Sequence, residues 1–328
     1  MRLPRFEVHR PKTVDDAVRI AREVGVDNYD WLAGGTDLLP NYKCRLNVRP
    51  HVILLGGVDE LRGVSPTRIG ALARLVEIDR DAGLATALPA IGEAVRQLAS
   101  PLLRQSGTLG GNLCLDNRCY YFNQSDFWRE AKGGCLKEGG PICLVVPKQK
   151  ETTCWAAYSG DLAPVLEVLG ASVGIAGASG RRVVPMREFF QPDGIRRNVL
   201  AKGDLVTHVE LPASARELRA GYAKLRQRDA IDFPILGVAI ALRVDGERVL
   251  EARASVTAVD VNPVYFELAA PDVASTAWIE RAAETIRKGV QPVKNVSLRP
   301  TYRKRMAGVL SRRLLERLVS GGTALAAE

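Results

Sequence analysis

The chain holds three histidines in 328 residues and no run of about 18 apolar residues. The second absence excludes a membrane-spanning helix. Its first residues, MRLPRFEVHRPKTVDDAVRI, carry basic side chains but no apolar core and no cleavage-like site. That argues against a secretory signal and for a reducing, cytoplasmic setting. GxSxG and HExxH are missing, so hydrolysis or acyl transfer has no visible machinery. With neither GxGxxG nor Walker A, no Rossmann or P-loop phosphate site is indicated. Net charge is +9, yet no zinc-finger, RNP or basic-zipper pattern supports nucleic-acid binding. Much of the excess lies in LRPTYRKRMAGVLSRRLLERL, a helix pattern with Tyr302, Met306, Val309, Leu310 and Leu314 on one side and arginines over much of the rest. His9, His51 and His208 read as structural or solvent-facing.

Cysteine is present and crowded. In TLGGNLCLDNRC, residues 108 to 119, a glycine pair leads into Cys114 and Cys119; Cys135, Cys143 and Cys154 follow, and only Cys44 lies elsewhere. In a reducing compartment such thiols are more often metal ligands or redox groups than disulfides. The gaps are x4, x15, x7 and x10, with no close CxxC pair of the kind structural zinc sites offer. Iron–sulfur clusters accept widely spaced thiolates on irregular loops. Spacing alone leaves an iron–sulfur cluster, zinc and incidental thiols all open, and it does not say which of five thiols is spare.

The first third alternates strand and helix. FEVHRP and HVILLGGV read as strands, and TVDDAVRIAREVG as a helix capped by Thr13 and ended by Gly25. Residues 115 to 156 break that rhythm, rich in Gly, Lys, Asn and Cys with aromatic residues gathered among them; a long irregular segment in a compact domain is usually functional or disordered, and the aromatics argue against disorder. DLAPVLEVLG then reads as a helix, ASVGIAG with RRVVP as a hairpin, and LVTHVELP as a strand. RAGYAKLRQR, FPILGVAIALRV and VLEARASVTAV read as three more strands, followed by two helices. Two glycine turns, AGGTD (33 to 37) and TLGGN (108 to 112), each follow apolar structure. Paired glycines let backbone N–H groups approach phosphate oxygens, so together they suggest nucleotide pyrophosphate binding.

AGGTDLLP, TLGGN, YSGDLAP, YAKLRQRDAIDFP and the basic final helix together resemble the FAD-binding medium subunit of the molybdenum hydroxylase (xanthine oxidase) family, in the family's order and over nearly the whole chain. The resemblance implies an α+β protein: a two-part vanillyl-alcohol-oxidase-type (PCMH-like) FAD-binding region over residues 1–57 and 58–217, and a C-terminal domain over 218–328 with a three-stranded sheet and helices. It assigns Ala33, Gly34, Gly35, Thr36 and Asp37, with Thr108, Leu109, Gly110, Gly111 and Asn112, to the FAD pyrophosphate and ribityl region. Asp161 matches an acid that contacts the flavin nucleotide, and Lys224 a lysine near the isoalloxazine ring.

Most of the family lacks an insertion at 115–156. The stretch from NLCLDNRC to TTCWAAYSGD is similar to one branch that has it, the β subunit of 4-hydroxybenzoyl-CoA reductase, where the insertion binds a [4Fe–4S] cluster. This resemblance places the ligands at Cys119, Cys135, Cys143 and Cys154 and leaves Cys114 as a non-ligand. The expected role is electron transfer from a ferredoxin-like donor through the cluster and FAD. The expected partners are a large subunit holding the molybdenum cofactor and a small [2Fe–2S] subunit. Another aromatic hydroxylase or dehydroxylase complex, or an FAD-binding scaffold with structural zinc, is the alternative.

Overall fold

Thr13 opens the first helix as its sequence leads one to expect. Its hydroxyl accepts from the Asp16 N–H at 3.0 Å, Asp15 and Asp16 fill the first turn, and Gly25 ends the helix at φ 87°. A computed structural model describes residues 2–149 and 152–321 of the chain. In it this helix, Val14–Val24, buries Val14, Ala17, Val18 and Ala21 in one cluster with Ile53 and Leu55. Behind it lies a parallel sheet of β1 (Glu7–His9), β2 (Tyr29–Leu32) and β3 (His51–Leu54), ordered β1-β3-β2. The first glycine turn leaves directly from the end of β2.

A second sheet is antiparallel, ordered β4-β7-β5-β6, from β4 (Arg68–Gly70), β5 (Ser172–Gly177), β6 (Gly180–Pro185) and β7 (Leu205–Glu210). The third is also antiparallel, ordered β11-β10-β9-β8, from β8 (Arg219–Leu225), β9 (Leu236–Asp245), β10 (Arg248–Thr257) and β11 (Val264–Leu268). Helices Thr276–Gly289 and Pro300–Val319 pack on each other, and the latter lies on β8 and β9. Helix Leu162–Val168 is buried along its whole length. It touches β8, β9 and β10 and shares a core with Val173, Ile175 and Val209 of the second sheet, so it joins the two.

Three expectations need correction. The C-terminal sheet has four strands, not three: VYFEL pairs with β10 as an edge strand. Its burial does not alternate and Pro263 precedes it, which hid the period-2 signal. The last helix buries Arg303, Ala307, Ser311, Leu314, Leu315 and Leu318, while Tyr302 stays exposed and Met306, Val309 and Leu310 are only partly covered. The buried face is therefore rotated from the apolar stripe, because the Arg303 guanidinium goes inside. It donates to the carbonyls of Ile235 (3.2 Å), Val293 (2.9 Å) and Ala258, and burial lowers its pKa to about 10. TLGGN, read as a turn, is the start of a short helix, Leu109–Leu113.

The expected insertion includes residues 150 and 151, and the expected C-terminal unit runs on from 322 to 328; both stretches lie outside the described residues, as does residue 1. No described helix is long and apolar enough to cross a membrane.

Candidate functional site

The two glycine turns, some 70 positions apart in sequence, lie against each other. A Cβ on Gly34 would stand 1.8 Å from the Ser106 carbonyl oxygen, and one on Gly107 would stand 3.7 Å from Thr36 Oγ1. Gly35 takes φ 71°, a left-handed conformation that favours glycine. Among the described residues, the N–H groups of Gly34, Gly35 and Thr36 donate to no acceptor, and the turn is half open to solvent. Unpaired donors on an accessible glycine turn suit an anionic ligand.

The second turn behaves differently. Thr108 caps the short helix by accepting from Gly111 N–H at 3.1 Å, and Asn112 N–H reaches the Thr108 carbonyl at 3.0 Å. Leu109 N–H donates to Ala73 O at 3.0 Å and Gly110 N–H to Ala71 O at 2.8 Å. Four of its five N–H groups, those of Leu109, Gly110, Gly111 and Asn112, are therefore spent inside the protein, contrary to the expectation of a full set of donors at both turns. What it offers a ligand is shape, with Gly111 exposed and Gly110 half-exposed.

Asn112 links this turn to the next motif. Its Oδ1 accepts from the Leu162 N–H at 3.1 Å, and Tyr158 OH donates to the carbonyls of Asn112 and Leu113, each at 3.2 Å. Asp161 is buried one residue before Leu162. It accepts from Tyr222 OH at 2.8 Å and pairs with Lys224 Nζ at 3.0 Å. Burial pushes the Asp161 carboxyl up, while Lys224 and Tyr222 pull it back. Lys224 is itself fully buried and donates to the carbonyls of Gln97 (3.0 Å) and Asp232 (3.1 Å). Thus Asn112, Asp161 and Lys224 come together in one network, and both charges are satisfied within the chain.

Arg118 was not singled out from the sequence. Its guanidinium pairs with Asp37 of the first turn and stacks over the Phe233 ring, 4.2 Å from its centroid. Burial lowers its pKa to about 10, and its Nε is buried without a partner. Backbone hydrogen bonds between Arg118 and Ala157, at 2.7 and 2.8 Å, clamp the two ends of the cysteine-rich excursion together.

Within that excursion Cys119, Cys135, Cys143 and Cys154 are all buried and line one small cavity with Phe122, Lys137 and Ala156. Burial raises the thiols of Cys119 (to about 11), Cys135 and Cys154 (to about 12), while backbone N–H groups oppose it. Those of Tyr121 and Phe122 hydrogen-bond Cys119, those of Lys137 and Glu138 hydrogen-bond Cys135, and that of Ala156 hydrogen-bonds Cys154. Lys137 brings a buried ammonium to the same cavity, held by Asp116 at 2.7 Å. Among the described residues no three cysteine sulfurs lie within 4.8 Å of one another. Four thiolates on one tetrahedral zinc, at about 2.3 Å each, would stand roughly 3.8 Å apart. Wider separation suits ligands that each bind a different metal atom.

Cys114 stands apart from these four, packed against the core that helix Leu162–Val168 shares with the second sheet, with its thiol pushed up to about 11 by burial. Cys44 does not stand apart. It ends the helix Leu38–Lys43 that starts from the first glycine turn, and it packs against the cysteine cluster. Arg129, buried in the excursion, donates to the carbonyls of Cys44 (3.2 Å) and Arg45 (3.1 Å) and so fixes one to the other.

Residues 4–214 match the family model described as FAD binding domain in molybdopterin dehydrogenase, and 221–318 match CO dehydrogenase flavoprotein C-terminal domain. The chain belongs to the FAD-binding subunits of the molybdenum hydroxylase family. Its relatives include the carbon monoxide dehydrogenase medium chain of Afipia carboxidovorans, 26% identical with 95% of this chain and 96% of that one covered. The aldehyde oxidoreductase FAD-binding subunit PaoB of Escherichia coli is also 26% identical, with 98% and 99% covered. Among solved structures, carbon monoxide dehydrogenase from Hydrogenophaga pseudoflava shares the fold at a TM-score of 0.78, with 24% identity and 98% and 100% covered. Quinoline 2-oxidoreductase from Pseudomonas putida 86 gives 0.76 at 20% identity, with 99% and 100% covered.

As a molybdenum hydroxylase FAD-binding subunit the chain is an oxidoreductase component that binds FAD, and the first glycine turn fits that cofactor: three free N–H donors, two of them on glycines, stand on an accessible backbone.

Proposed function

We propose that this chain is the electron-transfer subunit, carrying FAD and a [4Fe–4S] cluster, of a molybdenum-containing complex like 4-hydroxybenzoyl-CoA reductase. The observation that carries the reading is the convergence of four buried cysteines, spread over 36 residues, on one cavity. FAD and the cluster, when bound, supply two-electron and one-electron transfer respectively. The protein's part is to hold them close and to set their electrostatics.

The Gly34, Gly35 and Thr36 N–H groups would donate to pyrophosphate oxygens, with Ala33 and Asp37 flanking them. Thr108, Leu109, Gly110, Gly111 and Asn112 shape the adjoining wall. Asp161 and Lys224 form the buried support beneath the flavin. Cys119, Cys135, Cys143 and Cys154 are the cluster ligands, and the N–H groups at Cys119, Cys135 and Cys154, with the Lys137 ammonium beside Cys154, offset part of the burial that disfavours the thiolate a metal requires. The helix Leu38–Lys43 spans roughly 9 Å at about 1.5 Å per residue, so the two centres sit at either end of one short element.

In this reading residues 1–57 and 58–217 are the two FAD-holding parts and 218–328 the C-terminal domain; each sheet falls inside one of these spans. The complex works in the cytoplasm with a molybdenum-cofactor large subunit, a [2Fe–2S] small subunit and a ferredoxin-like donor. Relatives named for carbon monoxide, aldehyde and nicotinate share this type of subunit, so the substrate is set by the partner. Another aromatic hydroxylase or dehydroxylase would use the chain in the same way.

The test is iron, acid-labile sulfide, zinc and flavin content of the anaerobically purified chain and its Cys135→Ser variant. The expected result is about four irons and one FAD per chain, with iron lost and FAD kept in the variant. Flavin without iron, or one zinc in its place, would overturn the cluster.

A further inference from the structure

We infer that Glu7, His9 and His51 form a binding site for a divalent transition-metal ion of the zinc class, on the first sheet and separate from both redox sites. The parallel register sets Glu7 directly opposite His51, and His9 follows Glu7 by two residues, so all three side chains rise from one face. His9 Nε2 lies 3.2 Å from His51 Nδ1, Glu7 Oε2 lies 3.5 Å from His51 Nδ1, and Glu7 Oε1 lies 4.0 Å from His9 Nε2.

Nitrogen and oxygen ligands at about 2.0–2.1 Å from a tetrahedral zinc stand roughly 3.3 Å apart. The two edges that meet at His51 match that spacing, and the third closes with a small movement of Glu7. A hydrogen bond between the imidazoles would explain the first distance alone. It would not bring a carboxylate to both rings. Glu7 is 67% exposed and the histidines 20% and 26%, so the fourth position opens to solvent and the ion has an entry path. Two imidazoles and a carboxylate suit zinc, with copper and nickel as competitors, and do not suit calcium or magnesium, which prefer oxygen ligands.

The site's place in the fold gives it a role. β1 is a three-residue strand at the sheet edge, and among the described residues β3 is its only neighbour. An ion held by both strands staples the start of the chain to the sheet whose other edge, β2, leads into the first glycine turn.

The test is calorimetric titration of Zn2+ into the FAD- and iron-loaded chain after dialysis against a mild chelator, with thermal unfolding in parallel. The variants are His9→Gln, His51→Gln, the exposed Glu7→Gln, and Cys135→Ser as a thiol control. One zinc per chain is expected, raising the unfolding temperature by several degrees. Each histidine variant should weaken binding at least tenfold and lose the shift while keeping its FAD and iron; should one fail to fold, Glu7→Gln supplies the same comparison. No zinc binding, equal binding in the Glu7, His9 and His51 variants, or binding lost only in Cys135→Ser would overturn the site.

Discussion

Arg118 pairs its guanidinium with the Asp37 carboxylate across 81 positions of sequence, and the next residue along the chain is Cys119 of the thiol cavity. A single peptide bond therefore separates a residue fixed to the first glycine turn from one of the four cysteines that line the cavity. Disturbing either end is felt at the other.

Arg118→Gln tests this directly. It removes the ion pair and the stacking on Phe233 and leaves Asp37 unmatched. Both partners are partly exposed, so the loss is on the order of 2 kcal/mol, below the range for fully buried pairs. The expected readouts are a lower unfolding temperature and an FAD dissociation constant raised about tenfold, the factor for about 1.4 kcal/mol. Unchanged FAD affinity in a folded variant would separate Arg118 from the flavin.

Gly34→Ala and Gly111→Ala should part company. The first drives a Cβ to 1.8 Å from the Ser106 carbonyl, a backbone atom that yields only if both turns move; the second meets only Thr108 Oγ1 at 3.1 Å. Flavin content after purification should collapse for Gly34→Ala and stay near that of the parent for Gly111→Ala. The reverse order would refute the assignment of the close approach to the first turn.

Asp161→Asn leaves Lys224 buried and unmatched. Stranding one partner of a buried pair costs about 3–5 kcal/mol. Asp161→Asn with Lys224→Met removes both charges, so the double variant should recover part of the unfolding temperature that the single variant loses. If the double variant is no better, the pair is not what holds this region.

Glu167 carries a pH signature. Buried in the helix Leu162–Val168, it accepts from Ser255 Oγ at 2.5 Å, and burial lifts its pKa to about 7. The unfolded chain releases this proton near pH 4.3. Between those values the folded state holds more proton than the unfolded, so stability falls as pH rises through the window and levels off above it. Glu167→Gln should flatten that decline and gain up to roughly 3 kcal/mol over the parent above pH 7, at 1.36 kcal/mol per unit. Thermal melts at pH 5 and pH 8 give the comparison; equal slopes in both proteins would contradict it.

The parts legible in the sequence were those written in short-range chemistry. A threonine cap, two aspartates and a closing glycine mark the first helix without any knowledge of its surroundings. Two glycine pairs mark two backbone approaches. The parts that were not legible depend on partners far along the chain. Arg303 reads as surface because helical patterning counts arginine as polar, yet carbonyls from three separate segments receive it inside. β11 is an edge strand whose side chains share no burial period, so only its pairing with β10 defines it. His9 and His51 look unremarkable apart and become a pair only when parallel register sets their strands side by side. Cys44 seemed the thiol outside the group, but the helix that follows the first turn delivers it to the cluster.

The backbone bridge between Arg118 and Ala157 also bears on how such a thiol-bearing segment is acquired. Because the excursion leaves and re-enters at adjacent points, a chain without residues 119–156 could be rejoined there by a tight turn, with all three sheets undisturbed. The thiol-bearing segment is in this sense a cassette, entering a flavoprotein at one socket and pinned from the side where Arg129 holds the Cys44 and Arg45 carbonyls. Gain or loss of the four buried cysteines then demands a change at a single locus, with both glycine turns and the C-terminal sheet left in place.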